Sequence, residues 1–428
     1  MLAGAAIVNG YPLVFYDSAD YIEMSLTNGP IAYRTMPYAL TVMKIHLGIS
    51  LWPVVALQAL LAAWTIHETM AAFGPRLGRV GYVAMVAFLA FATSLPWYAG
   101  QLMPDFFAGL MGLAVIVLAF DRTLAGWRHL LLAAIAVLGG IGHASLMLLL
   151  IVVSLAALVL FLAVRRASWR PKPWTLLAAT LATVALVPGL HFVATGRAFY
   201  SQSGEIFMLA RLIQDGIAKK YLDAVCPTPE LKLCLYKDRL PPSANDYLWH
   251  VDSIFGSIGS WEYSGPESQK IVLGSLRRFP LDHLRAAFSL AAQQAIEFRT
   301  GDGTNAQVEA TPFIINRYFP GEIHAYLNAL QQRERIDFEA INRLHVPVAV
   351  VAQLALLVLA VLLWRRGDRL GAALCMATLA VLLLQAAITG ALSNPNHRYQ
   401  SRIIWIAPLM AWLMWRRWRW ARHDAIPQ

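Results

Sequence analysis

Residues 145–164 read SLMLLLIVVSLAALVLFLAV, twenty positions without one charged side chain. At about 1.5 Å per residue a helix of that length spans about 30 Å, the thickness of a bilayer's hydrocarbon core. It has no polar face to offer to water, so the stretch predicts a membrane-crossing helix and an all-α fold. The rest of the chain extends the pattern. Of 428 residues, 58% are hydrophobic and only 14% charged, with mean hydropathy +0.53. That composition excludes a water-soluble surface, a disordered chain and a coiled coil, and three cysteines are too few for a disulfide-dense secreted scaffold.

Further apolar runs lie at 51–72, 80–98, 106–120, 130–143, 174–194, 346–364, 370–391 and 403–415, with a shorter one at 2–15. Together they predict a polytopic protein of about ten spans. The first run has no basic flank and no small-residue cleavage site, so it reads as a first helix lacking its upstream turn rather than as a signal peptide.

Charge sets the orientation. The short connections and the tail carry Arg76, Arg79, Arg122, Arg128, Arg165, Arg166, Arg170, Lys172, Arg365, Arg366, Arg369, Arg416, Arg417, Arg419 and Arg422. Outside a long hydrophilic insert, the opposite side carries only Arg34, Lys44, Arg398 and Arg402. The first group is therefore expected in the cytoplasm, with both termini inside, as ten spans require. The insert, residues 195–344, falls outside. It holds 16 Lys and Arg against 17 Asp and Glu, so the chain's net charge of +10 belongs to the membrane part. Such basicity is topogenic and gives no reason to expect nucleic acid as a partner.

The chain thus divides into an N-terminal transmembrane module (1–194), an extracytoplasmic cap (195–344) and C-terminal transmembrane helices with a basic tail (345–428). Apolar residues at three- and four-residue spacing predict helices at Glu205–Val225, Glu267–Phe279, Asp282–Arg299 and Glu322–Arg335. Pro227, Pro229, Pro241, Pro242 and Gly301-Asp302-Gly303 interrupt them. Cys226 and Cys234 lie in the insert, where an oxidising compartment favours a bridge between them; the alternative is two free thiols. Cys375, within a span, reads as a packing residue. The short basic loops, the outer cysteine pair and the chain's size fit a bacterial inner membrane with a periplasmic insert, and the endoplasmic reticulum obeys the same charge rule.

Charges near the outer membrane face are few, and each is costly unless paired, hydrated or used. Three clusters stand out. Tyr16-Asp17-Ser18-Ala19-Asp20-Tyr21 follows the first run, with Tyr33-Arg34-Thr35-Met36-Pro37-Tyr38 beyond it. On a helix starting near Asp17, Asp20 and Tyr21 share its face; the simpler role for Asp17 or Ser18 is a helix cap. Met103-Pro104-Asp105 stands at the outer turn before an apolar helix, where Asp105 reads equally as a cap. Asn396-His397-Arg398-Tyr399-Gln400-Ser401-Arg402 precedes the last span. Arg398 and Arg402, four apart, can offer forked donors to a phosphate or anchor lipid headgroups. His143, in a glycine-rich turn, is a fourth candidate, otherwise a satisfied interfacial histidine. Two outer carboxylates, Asp17 and Asp105, could also hold a divalent cation.

The order of these motifs, a short first span, Tyr16-Asp17-Ser18-Ala19-Asp20-Tyr21, Arg34-Thr35-Met36-Pro37-Tyr38-Ala39-Leu40 and Met103-Pro104-Asp105, resembles the start of GT-C superfamily glycosyltransferases. That superfamily includes the protein O-mannosyltransferases and the lipid A aminoarabinose transferase. The resemblance covers residues 8–165, with topology alone beyond. It implies transfer of a sugar from a polyprenyl-phosphate donor, on the outer face and with inversion, to a lipid, glycan or protein acceptor. On that analogy Asp17 is the general base and Asp105 its helper, orienting the acceptor or a metal. Arg398, Arg402, Arg34 and His397 offset charge on the departing phosphate. Asp20, Tyr21, His143 and Tyr399 complete the expected substrate-binding set. No nucleotide-binding motif is present, and none is needed if the sugar arrives activated on its lipid. The rival readings are a lipid or solute transporter or flippase, for which Glu68 and His67 are the intramembrane candidates, and a non-catalytic assembly subunit whose partner binds the cap.

Overall fold

A computed structural model describes residues 1–74, 78–228 and 230–423, with side chains to 419. Arg76, Pro229 and the side chain of Arg422 lie outside the described residues. Among those described, regular structure is helical apart from one isolated parallel bridge between Leu13 and Gln101. Five helices are long and apolar enough to cross a membrane: Trp52–Phe73, Ala144–Ala163, Trp174–Thr195, Phe338–Arg365 and Arg369–Leu392. In Ala144–Ala163 only 28% of the most apolar window is buried within the protein, so most of an uncharged helix faces outward. Water would penalise such a surface and lipid would not.

The centre of the bundle is Phe107–Phe120, whose every residue is buried. Apolar burial does not by itself join helices inside lipid, so close packing has to. Glycine provides it. A Cβ on Gly139 would lie 2.9 Å from that of Met111, and one on Gly140 would lie 2.8 Å from Thr183 Cγ2. Gly109 likewise leaves room for the indole of Trp405.

Several apolar runs differ from the helices expected of them. Residues 2–15 give only the helix Gly4–Asn9, because Gly10 adopts φ 85° and Pro12 follows; from Tyr11 the chain is extended. The run 80–98 is a helix Arg79–Ala92 and a separate turn Leu95–Ala99, broken where Thr93 turns extended, with Pro96 in the first turn of the second piece, where its missing N–H costs no helical hydrogen bond. The last run is two helices, His397–Ile404 and Ile406–His423, and Phe338–Arg365 begins well before the apolar stretch it contains.

The insert is helical, but its apolar side chains divide between two cores. Gly204–Gln214, Ile217–Val225, Ala244–Trp249 and Gly265–Arg278 bury Leu209, Leu212, Leu222, Tyr247 and Ile271 together. Phe298, Ile315, Phe319 and Tyr326 instead join the core of the long helices. The segment expected as one helix at Glu322–Arg335 is helical only over Ile323–Asn328. Between the cores, Pro280–Ile296 lies against Arg369–Leu392, and a Cβ on Gly390 would come within 2.5 Å of the Leu290 carbonyl. Cys226 and Cys234 are joined by a disulfide, and Cys375 is buried.

Candidate functional site

The extended segment after Gly10 sets the position of the first acidic cluster. Leu13 N–H donates to the Gly100 carbonyl (2.8 Å), and Leu102 N–H donates to that of Leu13 (2.9 Å). Gln331 clamps the other edge: its Oε1 accepts from Val14 N–H (3.1 Å) and its amide donates to the Val14 carbonyl (2.7 Å). Ser18 Oγ accepts from Phe15 N–H and donates to the Leu102 carbonyl. Asp17 is thereby tied to the turn that carries Asp105, although 88 positions separate them in the chain.

Asp17 precedes the helix Ser18–Thr27 but does not cap it. Its Oδ1 instead accepts from Arg34 Nη2 at 2.5 Å, and Arg34 Nε donates to Asp20 Oδ2 at 2.9 Å. One guanidinium thus bridges two carboxylates, with all three side chains 13–19% exposed. Among the described residues, Oδ2 of Asp17 takes no hydrogen bond. Burial lifts the Asp20 carboxyl to about 6 in spite of Arg34. Tyr21 is buried beside them, close enough to feel the charges of Asp17, Arg34 and Asp105.

Asp105 is not a cap either. It is sealed from solvent, and its Oδ1 accepts from Arg402 Nη1 at 2.7 Å and lies 3.7 Å from Arg398 Nε. Arg402, fully buried, also donates from Nη2 to Ser145 Oγ (2.9 Å). Ser145 Oγ in turn lies 2.8 Å from His143 Nδ1, which accepts from Ser145 N–H and caps the helix Ala144–Ala163. His143 therefore does the work of a helix cap while its ring remains in the cluster. Tyr399 lies beside both arginines, its ring centre 5.3 and 5.2 Å from their guanidinium carbons.

Arg398 differs from its neighbours. Its side chain is 13% exposed, it stacks over the Phe15 ring at 4.0 Å, and at 3.7 Å it is too far from Asp105 for a hydrogen bond. Its guanidinium makes no hydrogen bond among the described residues, so its forked donors are unspent. Burial opposes its charge, but Asp105, Tyr399 and Asp17 together outweigh burial and hold its pKa above the ordinary value. Asp17 is thus near enough to act on the charge of Arg398, and the ion pair of Asp105 and Arg402 lies buried beside it. His397 is not part of it: its Nδ1 accepts from Arg299 N–H (3.3 Å) in the insert.

The structure adds residues that the sequence did not single out. Asp302 Oδ2 accepts from Arg398 N–H (3.0 Å), fixing the start of the arginine helix. The glycines flanking it have φ 102° and 71°, and a side chain on Gly303 would strike Phe15. On the far side of Arg34, Tyr33 packs against Trp249 and Trp261 of the insert. Glu68, a candidate for ion passage, is paired with Arg128 (Nε 2.8 Å), with His67 beside it. For a cation, no group of three or more His, Cys, Asp or Glu gathers among the described residues, and Asp17 and Asp105 each meet a guanidinium.

No family model matches the chain, and no curated protein or solved structure matches it.

Proposed function

We propose that this chain is an integral-membrane glycosyltransferase that moves a sugar from a polyprenyl-phosphate donor to a hydroxyl of a lipid, glycan or protein acceptor, with inversion. The observation that carries the reading is Arg398, a largely buried guanidinium with unspent donors that feels the charge of a nearby carboxylate, Asp17, whose Oδ2 takes no hydrogen bond among the described residues. A cation with open forks beside a base is what displacement of a phosphate by an alcohol requires.

In this reading Asp17 Oδ2 takes the acceptor's hydroxyl proton as the oxygen attacks the anomeric carbon. The bond from that carbon to the phosphate oxygen breaks on the opposite face, and the electron pair leaves with the lipid phosphate. Arg398 stabilises the charge collecting there. Arg402 and Asp105 are too deeply buried to touch substrate and act as positioning residues: their ion pair holds Asp105 next to Arg398 and fixes where its charge sits. Arg34 holds Asp17 Oδ1 and shares its guanidinium with Asp20.

The same proposal places the chain in a bacterial inner membrane with about ten crossings, cytoplasmic termini and residues 195–344 in the periplasm. The helices shorter than a full span, such as Phe107–Phe120, would cross with the turns that precede them. Donor binding tests the site. Full-length protein in nanodiscs should bind polyprenyl phosphate, and Arg398→Gln should weaken that binding about tenfold or more, the cost of losing one charge-assisted pair. Equal affinity in the variant would remove Arg398 from the phosphate site and with it the reading's support.

A further inference from the structure

Beside the ion cluster the insert presents an aromatic surface with no assigned role. Trp249 closes the helix Ala244–Trp249 and Trp261 lies in the short helix Ser260–Tyr263. Both meet Tyr33 of the first outer loop, with ring centres 5.5 and 4.9 Å from it and 5.3 Å from each other. Ser203 Oγ, from the insert, donates to the Ala32 carbonyl at 2.8 Å and pins the loop there. Phe255 backs Trp261 from inside the insert's core. The front is open: Trp249 is 46% exposed, and Tyr33 and Trp261 are half-buried.

The shelf is continuous with the charged site. The Arg34 guanidinium carbon stands 4.8 Å from the Tyr33 ring centre and 5.9 Å from that of Trp249, while its nitrogens hold Asp17 and Asp20. One wall is therefore aromatic and the adjoining edge carries two carboxylates, each with one oxygen that takes no hydrogen bond among the described residues. A hydrocarbon chain laid there would strip water from those charges without replacing its hydrogen bonds. A sugar ring suits both walls: its C–H face covers the rings, and its hydroxyls donate to Asp20 and Asp17. Aromatic faces with a few placed polar groups are the usual composition of a small-molecule site.

We propose that Tyr33, Trp249 and Trp261 form a subsite for an uncharged sugar ring of the acceptor. This makes the acceptor a carbohydrate, or a molecule that ends in one, and gives the insert the task of holding it over Asp17. That placement rests on the transferase reading; the shelf's affinity for sugar does not.

Saturation-transfer NMR with full-length protein in nanodiscs tests it, using as probes a panel of uncharged methyl hexosides, methyl pentosides and their disaccharides. Wild type should bind at least one probe. Trp249→Ala should weaken binding about tenfold, the scale of one lost stacking partner, while Trp249→Phe should retain most of it. Asp17→Asn, whose amide oxygen still accepts a hydroxyl but is no base, should bind the probe and fail to transfer. Absence of binding to every probe, or Trp249→Ala or Trp249→Phe behaving opposite to these expectations, overturns the subsite. Loss of binding in Trp249→Ala together with undiminished transfer by Asp17→Asn would leave the subsite standing and remove the assigned base.

Discussion

Arg34 is the residue on which the chemistry turns, because it holds the proposed base and a neighbouring carboxylate at once. Asp20, lifted by burial to about 6, decides how that guanidinium is shared. For stability, the folded protein keeps a proton that the unfolded chain releases near the ordinary value of 3.8. Asp20's contribution is therefore full below that value and is lost as pH rises through about 6. Activity should run the other way. Above that pH Asp20 is ionised and draws Arg34 partly off Asp17; below it Arg34 binds Asp17 alone. Transfer should fall as pH drops through 6, and Asp20→Asn should lack that inflection and be about tenfold slower at neutral pH. A wild-type profile flat through this range would show that Asp20 does not govern the clamp. The sealed pair beneath behaves differently. Replacing Asp105 by Leu leaves the buried Arg402 guanidinium without its carboxylate and should cost about 3–5 kcal/mol in chemical denaturation, whereas adding Arg402→Met to it should recover much of that stability without recovering transfer.

At the scale of elements, the site exists because backbone joins segments far apart in sequence. The bridge from Leu13 to Gln101 and the clamp by Gln331 place Asp17 against the Asp105 turn. Gly390 lets the insert's last long helix lie against Arg369–Leu392, just before the arginine helix His397–Ile404. Gly390→Leu has no room for its Cβ beside Leu290 and should lower the thermal midpoint by several degrees. Because that contact leads into the arginine helix, polyprenyl-phosphate binding should weaken as well; unchanged melting and binding would show that the helices do not meet there. These joints also mark the limit of what the sequence discloses. Ala144–Ala163 and Arg369–Leu392 are legible because uncharged runs of that length have one economical structure. Residues 2–15 are also mostly apolar, but Gly10 and Pro12 end the helix after one turn and a half, and those two residues outweigh the hydropathy of the window. The carboxylates and arginines stand out because charge is scarce near the membrane face expected to lie outside. Asp302, Trp249 and Trp261 do not, because charges and aromatics are common in the insert and only docking selects the ones that meet the site.

For the whole molecule, the fold sets long apolar helices around a buried centre and gathers three carboxylates and three guanidiniums from segments far apart in the chain. Where that end faces is a matter of topology. Cys226 and Cys234 should resist an impermeant maleimide in intact cells until reduced and then label from outside, while buried Cys375 stays unmodified. Labelling only after the inner face is exposed would invert the orientation and put the charged site in the cytoplasm. The most direct test of the central claim follows sugar itself: membranes containing wild type or Asp17→Asn are given radiolabelled polyprenyl-phosphate sugar, and label reaching acceptor is counted. Transfer by wild type and a loss of about a thousandfold or more in the variant is the expected result. Equal transfer by both would contradict Asp17 as the base, and with it the chemistry assigned to the cluster.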